Sequence, residues 1–417
     1  MFRNPWWVVF GSVLGLMVGN GPVMQFTFGV FLKPISEEMG WERGMISLAL
    51  NAGLVMTGLA TPFAGRLMDK YGIRAITLPA IILFAIATAA VSLVSTSPVV
   101  FILLYAVMGL AAAGQTPLPY SKAIASWFDK RRGLALGIAI AGVGLGAAVV
   151  PKFTLMMMQH FGWRGAYLGL GLLIAALAIP AIVFLVRERP VSKKNDVAHL
   201  PEARGLSGRE AIGSRVFWVM AVAFFGVAMA ANGTIAHVVP LLTDRGITAE
   251  VATSALAVAG LALIAGRLLS GYLMDRFFAP YVAAVFFLAP LIGIVILLQA
   301  ESAQMAAAGT VLVGVGLGAE VDLIAFLLTR YLGNRSFGEI YGYFFAIFML
   351  GSGLGPMVMG VMYDWMGSYN TVMLVFIAML CLSILLIARL GPYTYPVDEA
   401  HEQRQNRASP EIAAERG

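Results

Sequence analysis

The chain has 417 residues, 59% of them apolar and only 12% charged, where a soluble domain carries about 25% charged residues. This balance excludes a soluble enzyme with one large core and points to an all-α membrane protein. The net charge of +6 does not mark a nucleic-acid partner, because the basic residues sit in short turns between apolar runs rather than on one soluble surface.

Taken in chain order, the apolar runs have the roughly 20 residues a helix needs to cross a hydrocarbon layer of about 30 Å. They predict twelve transmembrane helices, over 6–31, 44–68, 74–95, 98–127, 133–157, 164–186, 215–242, 248–274, 279–300, 303–331, 336–365 and 368–391. The first run is too long for a signal-peptide core and has no small-residue cleavage pattern behind it, so it reads as the first span. Loops are short except at 187–214, a charged linker that separates a six-helix half at 1–186 from a second at 215–391. The polar stretch 392–417 has no apolar period and reads as a flexible tail. Cys381 is the only cysteine, which excludes an intramolecular disulfide and a Cys-based zinc or iron-sulfur centre.

Lysine and arginine placement sets the expected orientation. With the amino terminus in the cytoplasm, 21 of the 28 fall on the cytoplasmic side and 4 (Lys33, Arg43, Arg164 and Arg245) on the other, the remaining 3 lying within spans. Both termini are therefore expected in the cytoplasm, with the chain in the cytoplasmic (inner) membrane. The two halves also echo each other. Gly65-Arg66-Leu67-Met68-Asp69 matches Gly271-Tyr272-Leu273-Met274-Asp275 at an offset of 206, while Gly109, Gly137, Gly146, Pro151 and Gly162 match Gly314, Gly342, Gly351, Pro356 and Gly367 at an offset of 205. A duplicated six-span unit, with a substrate held between the copies near the midplane, accounts for this order.

On these residues the chain resembles the major facilitator superfamily: Gly65 to Arg74 (GRLMDKYGIR) is similar to its loop motif, in which Gly65, Asp69 and Arg74, with Asp275 in the second copy, would serve as a conformational or gating loop. Trp127 to Gly146 (WFDKRRGLALGIAIAGVGLG), Gly40 to Arg43 and Phe161 to Gly165 resemble more narrowly the monocarboxylate transporters and the oxalate/formate antiporters. The resemblance implies the major facilitator fold of twelve transmembrane helices in two pseudo-symmetric halves. Two departures refine it. Drug/proton antiporters carry an Arg three residues before a fourth-span Gly, and before Gly109 this chain has Ala106. Oxalate exchangers pair an eighth-span Arg with an eleventh-span Lys, and no basic residue lies between Arg335 and Arg389.

Ionisable side chains inside spans are costly and usually face a cavity or a partner. Five stand out: Lys122, Lys152, Arg267, Glu320 and Asp322. Their net charge suits a monovalent anion. A guanidinium can hold a carboxylate with two parallel hydrogen bonds, and Arg267 followed by Gly271 resembles the eighth-span RxxxG in which monocarboxylate transporters bind the substrate carboxylate. The alternative is a structural Arg paired with an acid. The acid those transporters often carry one turn earlier is here Leu263, so proton coupling falls to Glu320 or Asp322, which lie about 200° apart around a helix and cannot both face one narrow cavity. Lys122 either meets substrate or extends to the interface, and Lys152 presents the same choice. Asn20 and Gln25 in the first span, Asn51 in the second, Gln115 and Tyr120 in the fourth, and Asn232 and His237 in the seventh either orient a small hydroxy or keto acid or bond neighbouring helices. The methionines and the Gly142-Gly144-Gly146 run read as packing, with no metal, nucleotide or other cofactor implied.

The expected function is a secondary transporter, not an enzyme, that moves a small organic monocarboxylate with a proton by alternating access and works as a monomer in the lipid bilayer. Carboxylate/carboxylate exchange is the alternative within that class. A receptor or sensor for a small anion, without turnover, is the alternative outside it.

Overall fold

The computed structural model describes residues 4–128, 132–187, 205–333 and 335–395. Most of the linker, the tail from 396 onward, Lys130 and Arg131, and the side chain of Asp69 lie outside the described residues. Helix is what lipid dictates, since no water is present to satisfy an unpaired backbone group there. Eleven helical stretches are long and apolar enough to cross a membrane, and one of them contains two crossings. The helices are α1 (Trp6–Phe26, continued by Phe28–Met39), α2 (Arg43–Met68), α3 (Ile73–Leu93), α4 (Pro98–Ile124), α5 and α6 (the two arms of Leu134–Leu185), α7 (Arg215–Thr243), α8 (Ala249–Met274), α9 (Ala279–Leu298), α10 (Ala303–Tyr331), α11 (Phe337–Met366) and α12 (Asn370–Ala388). Gly162, at φ +68°, is the turn that divides α5 from α6. Its partner in the repeat, Gly367, ends α11 at φ +66° and ψ 10°, where Gly162 has ψ −180°, so the second copy keeps the positive φ but makes a different turn. The Gly162 conformation is essentially restricted to glycine, and the left-handed one at Gly367 favours it.

Helix starts are set by short polar side chains: the hydroxyls of Ser97, Ser214, Thr248 and Ser302 accept from the backbone N–H three residues on, opening α4, α7, α8 and α10. Two apolar cores form, one mainly from α1 to α6 and the other mainly from α7 to α12.

Among the described residues, the close glycine approaches between the two halves lie towards one side. We call the side from which the 187–214 linker emerges the linker end and the other the far end. α2 runs against α11 from Gly44, where a Cβ would lie 2.8 Å from Val361, down to Gly58, where it would lie 3.0 Å from Met349. α5 runs against α8, with a Cβ at Gly144 only 2.6 Å from the Gly260 carbonyl. α1 meets α7 at Gly29, 2.6 Å from the Ala236 carbonyl. All of these lie in the far half or the middle of the helices. At the linker end, contacts among the described residues include two within a half: Arg74 donates to the carbonyls of Val186 and Val183 at 2.8 and 2.9 Å, tying α3 to the end of α6, and Leu206 N–H donates to the Leu332 carbonyl at 2.9 Å.

Candidate functional site

α8 and α10 are joined backbone to backbone. A Cβ at Gly314 would sit 2.5 Å from the Ala259 carbonyl, one at Gly266 2.3 Å from the Val315 carbonyl and one at Gly318 2.1 Å from the Leu263 carbonyl. This close crossing carries Asp322, one turn beyond Gly318, to Arg267. The guanidinium Nε lies 3.0 Å from Asp322 Oδ2 and also donates to the Gly318 carbonyl at 3.3 Å. The Arg267 side chain is 19% exposed and that of Asp322 37%, unusual openness for charges at this depth in a bundle. Arg267 lies one turn below Ile264, which packs on Gly144 in the last close approach of α5 and α8. The pair therefore sits one turn to the linker side of that crossing, part-exposed, and Tyr341 of α11 is near enough to feel both charges.

Glu320 points elsewhere. Gly316, one turn before it on the same face, abuts Pro290 and Phe286 of α9, and the Glu320 side chain is 1% exposed with neither carboxyl oxygen hydrogen-bonded among the described residues. An ionised carboxylate there would bear the full cost of desolvation. The two acids thus divide as their angular separation requires.

Of the polar groups named from the sequence, several hold helices together. α1 is broken after Met17, where Gly19, Asn20, Gly21 and Pro22 interrupt the regular turn, and α4 is broken at Gln115 and Thr116 ahead of Pro117. Gln115 donates to the carbonyls of Gly15 and Val18, at 3.2 and 3.5 Å, joining the two breaks. Tyr120 is 1% exposed and its hydroxyl occupies the space where Gly15 lacks a side chain. Asn232 donates back to Ala228 at 2.9 Å within α7. Asn20 and Asn51 each keep a buried polar atom without a partner among the described residues, and Gln25 is half-buried beside Gly21. Lys122 is half-buried near the linker end of α4, Asp275 lies exposed where α8 ends, and Gly65 touches Leu118. Lys152 opens instead onto a lateral cleft of about 640 Å³ between α5 and α8, walled by Leu145, Phe153, Met156, Val258 and Leu261.

His237 is not brought to Arg267. It is fully buried at the far end, with Nε2 3.1 Å from Ser47 Oγ and Nδ1 3.1 Å from Tyr369 Oη. There it joins a cluster that sequence reasoning missed. Arg43 donates from Nη1 and Nη2 to the two oxygens of Asp244, at 2.6 and 3.0 Å, donates to Tyr369 Oη at 2.7 Å, and places its guanidinium 3.8 Å over the Tyr363 ring. Asp364 of α11 accepts from the backbone N–H groups of Arg43 and Gly44 at 3.0 and 2.6 Å, so one half caps the first turn of a helix in the other. Lys33 adds a second cation 3.4 Å from Asp244. Burial pushes the Asp244 carboxyl up, but the hydrogen bonds and charge of Arg43, with Lys33, outweigh it and hold the group below its ordinary range. The available signal was the scarcity of basic residues at this end: all four, Lys33, Arg43, Arg164 and Arg245, are bonded, Arg164 to Glu38 and Arg245 to the Leu297 carbonyl.

A model of the Major Facilitator Superfamily matches residues 8–356. An uncharacterised transporter of that type from Bacillus subtilis, YcxA, is 25% identical over 413 residues, 92% of this chain and 94% of its own. Monocarboxylate transporter 13 of Bos taurus is 25% identical over 352 residues, 82% of this chain and 80% of its own. The oxalate:formate antiporter of Oxalobacter formigenes is 26% identical over 284 residues, 66% of this chain and 65% of its own. The crystal structure of a bacterial homologue of the human lysosomal transporter Spinster, in an inward-facing and unoccupied conformation, shares the fold with a TM-score of 0.69 at 17% identity, over 93% of this chain and 96% of that one. Twelve crossings in two duplicated halves, a part-exposed charged pair within the spans and a family match across most of the length converge: the chain is an integral membrane transporter and belongs to the Major Facilitator Superfamily.

Proposed function

We propose that the chain carries a small organic monocarboxylate across the cytoplasmic membrane together with a proton, by alternating access between its two halves. The observation that carries this reading is the Arg267–Asp322 pair, an ion pair within the spans whose two side chains both remain partly exposed. A substrate carboxylate competes with Asp322 for the guanidinium, and a carboxyl group released from its cation in a poorly solvated site is the natural proton carrier. Anion and proton then load as one neutral unit. Asp322 has the geometry for this role, whereas Glu320 lies behind it against α9. Relatives named as monocarboxylate transporters and as an oxalate:formate antiporter support an organic anion as cargo. The excess of lysine and arginine on that side supports a cytoplasmic linker end, and on that reading Arg267 is reached from inside. The protein is proposed to act as a monomer.

The test is uptake of labelled monocarboxylates into proteoliposomes with and without an inward proton gradient. Wild-type uptake should follow the gradient, Arg267→Lys should lose at least tenfold because one ammonium cannot replace a two-pronged contact, and Asp322→Asn should still exchange internal for external acid while no longer responding to the gradient. Gradient-independent uptake that requires an internal carboxylate in the wild type would favour exchange instead.

A further inference from the structure

One side of α11 is a strip of rings. Phe337 and Tyr341 lie 5.7 Å apart between centroids and 24° between planes, Tyr341 and Phe345 6.2 Å and 20°, and Phe345 and Phe348 6.2 Å and 31°. Rings spaced three or four residues apart on a helix meet by default, so stacking alone marks no site. The other side of the same helix provides the control. Phe344 is fully buried and meets Phe217 edge-to-face, at 4.8 Å and 61°, which is how aromatic rings pack inside a core. Phe337, Tyr341 and Phe345 pack against the edge of the second-half core but remain part-exposed, nearly parallel to one another. The strip ends at Phe348, next to Met349, where α2 closes on α11 through Gly58. It thus occupies the stretch of α11 that lies below the seam, with Tyr341 within electrostatic range of the Arg267–Asp322 pair.

We infer that the cargo is an aryl monocarboxylate, whose carboxylate is held by Arg267 while its ring lies on the Tyr341–Phe345 strip. This rests on the monocarboxylate reading above and deepens it. A small aliphatic acid satisfies Arg267 but leaves a partly exposed apolar strip uncovered beside it, and an aryl acid covers both. The strip also supplies a flat surface with few rotatable bonds, which costs little entropy to order.

The experiment is a matched panel in proteoliposomes: phenylacetate and benzoate against acetate and lactate, for the wild type, Phe345→Ala, Phe345→Trp and Arg267→Lys. The expected result is at least fivefold faster uptake of the aryl acids by the wild type at equal concentration. Phe345→Ala should remove most of that preference, and Phe345→Trp should retain it. Retained aryl uptake by Phe345→Trp is the control for folding at that position, and Arg267→Lys should lower uptake of both classes. If acetate and lactate are carried as well as the aryl acids and Phe345→Ala alters neither, the inference fails while the monocarboxylate reading stands. If no acid of either class is carried, both fall together.

Discussion

The two seams that close the far end are related by the duplication, yet they are built differently. In the α2–α11 seam, Asp364 meets the start of α2 at Gly44; in the α5–α8 seam, Gln159 meets the start of α8 at Glu250, at 2.6 Å. Residue 364 is 159 displaced by 205, and residue 250 is 44 displaced by 206, so the two contacts are copies of one. Both copies keep small residues where backbones cross, Gly44 and Gly58 in one, Gly144 and Gly260 in the other. The chemistry at the mouth has diverged. One copy is closed by Arg43, Asp244, Asp364 and two tyrosines in a part-buried network. The other carries one exposed amide–carboxylate contact above an apolar crossing with an open cleft on its flank. The crossing geometry was fixed by backbone approach, which tolerates no side chain, while the polar closure was free to change.

That contrast predicts an order of effects. Far-end opening would be read as the spin-label distance between Glu37→Cys and Gln304→Cys, both at exposed sites, in a Cys381→Ser background. Arg43→Ala should have the largest effect, about 3 kcal/mol, because it removes both guanidinium hydrogen bonds from Asp244 in a partly buried site and leaves it only Lys33; that is roughly a hundredfold shift towards an open far end, and an unchanged distance distribution would show that the charges do not hold the seam. Gly260→Val comes next, at about 2 kcal/mol, since its Cβ would lie 2.7 Å from the Gly144 carbonyl. It should open the same distance without altering any charge. Asp364→Asn keeps the size of the cap and loses its charge, for about 1 kcal/mol. Gln159→Ala, at the exposed copy of the same contact, should stay within about 0.5 kcal/mol. A comparable response at 364 and 159 would erase the distinction between the seams. Acid gives a smaller and one-sided change: because the Asp244 carboxyl is held below its ordinary range, its contribution to closure is full above that range and is lost as pH falls through the depressed value. Asp244→Asn should remove that acid response.

The fold was legible because lipid leaves few choices: length and hydropathy gave the crossings, and paired glycines gave the repeat. One structural stretch spans two expected helices, 133–157 and 164–186, because Gly162 turns the chain without a polar loop to announce it. The first helix continues past residue 31 to Met39, since Lys33, Glu37 and Glu38 lie beyond the apolar run but still on helical turns. The site was legible in part. Arg267 and Asp322 stand out as charges within apolar runs, but their pairing depends on the contact of Gly318 with Leu263, which no periodicity reveals. Glu320 carries the same signal as Asp322, and only the packing of Gly316 on α9 separates them. His237 was misleading for a related reason: a polar residue in an apolar span announces a partner without saying which one. Arg43 looked like an ordinary loop residue, because its partners, Asp244 and Asp364, are some 200 and 320 residues away in the chain and meet it only after the halves assemble.

The cap that Asp364 places on α2 makes one half depend on the other. The start of α2 is completed by an acid 320 residues further on, and the equivalent position in the first half, Gln159, likewise reaches across to the other half, at Glu250. Expressed alone, the first half would therefore lose the cap that Asp364 supplies, and co-expression of the two halves as separate fragments should restore it.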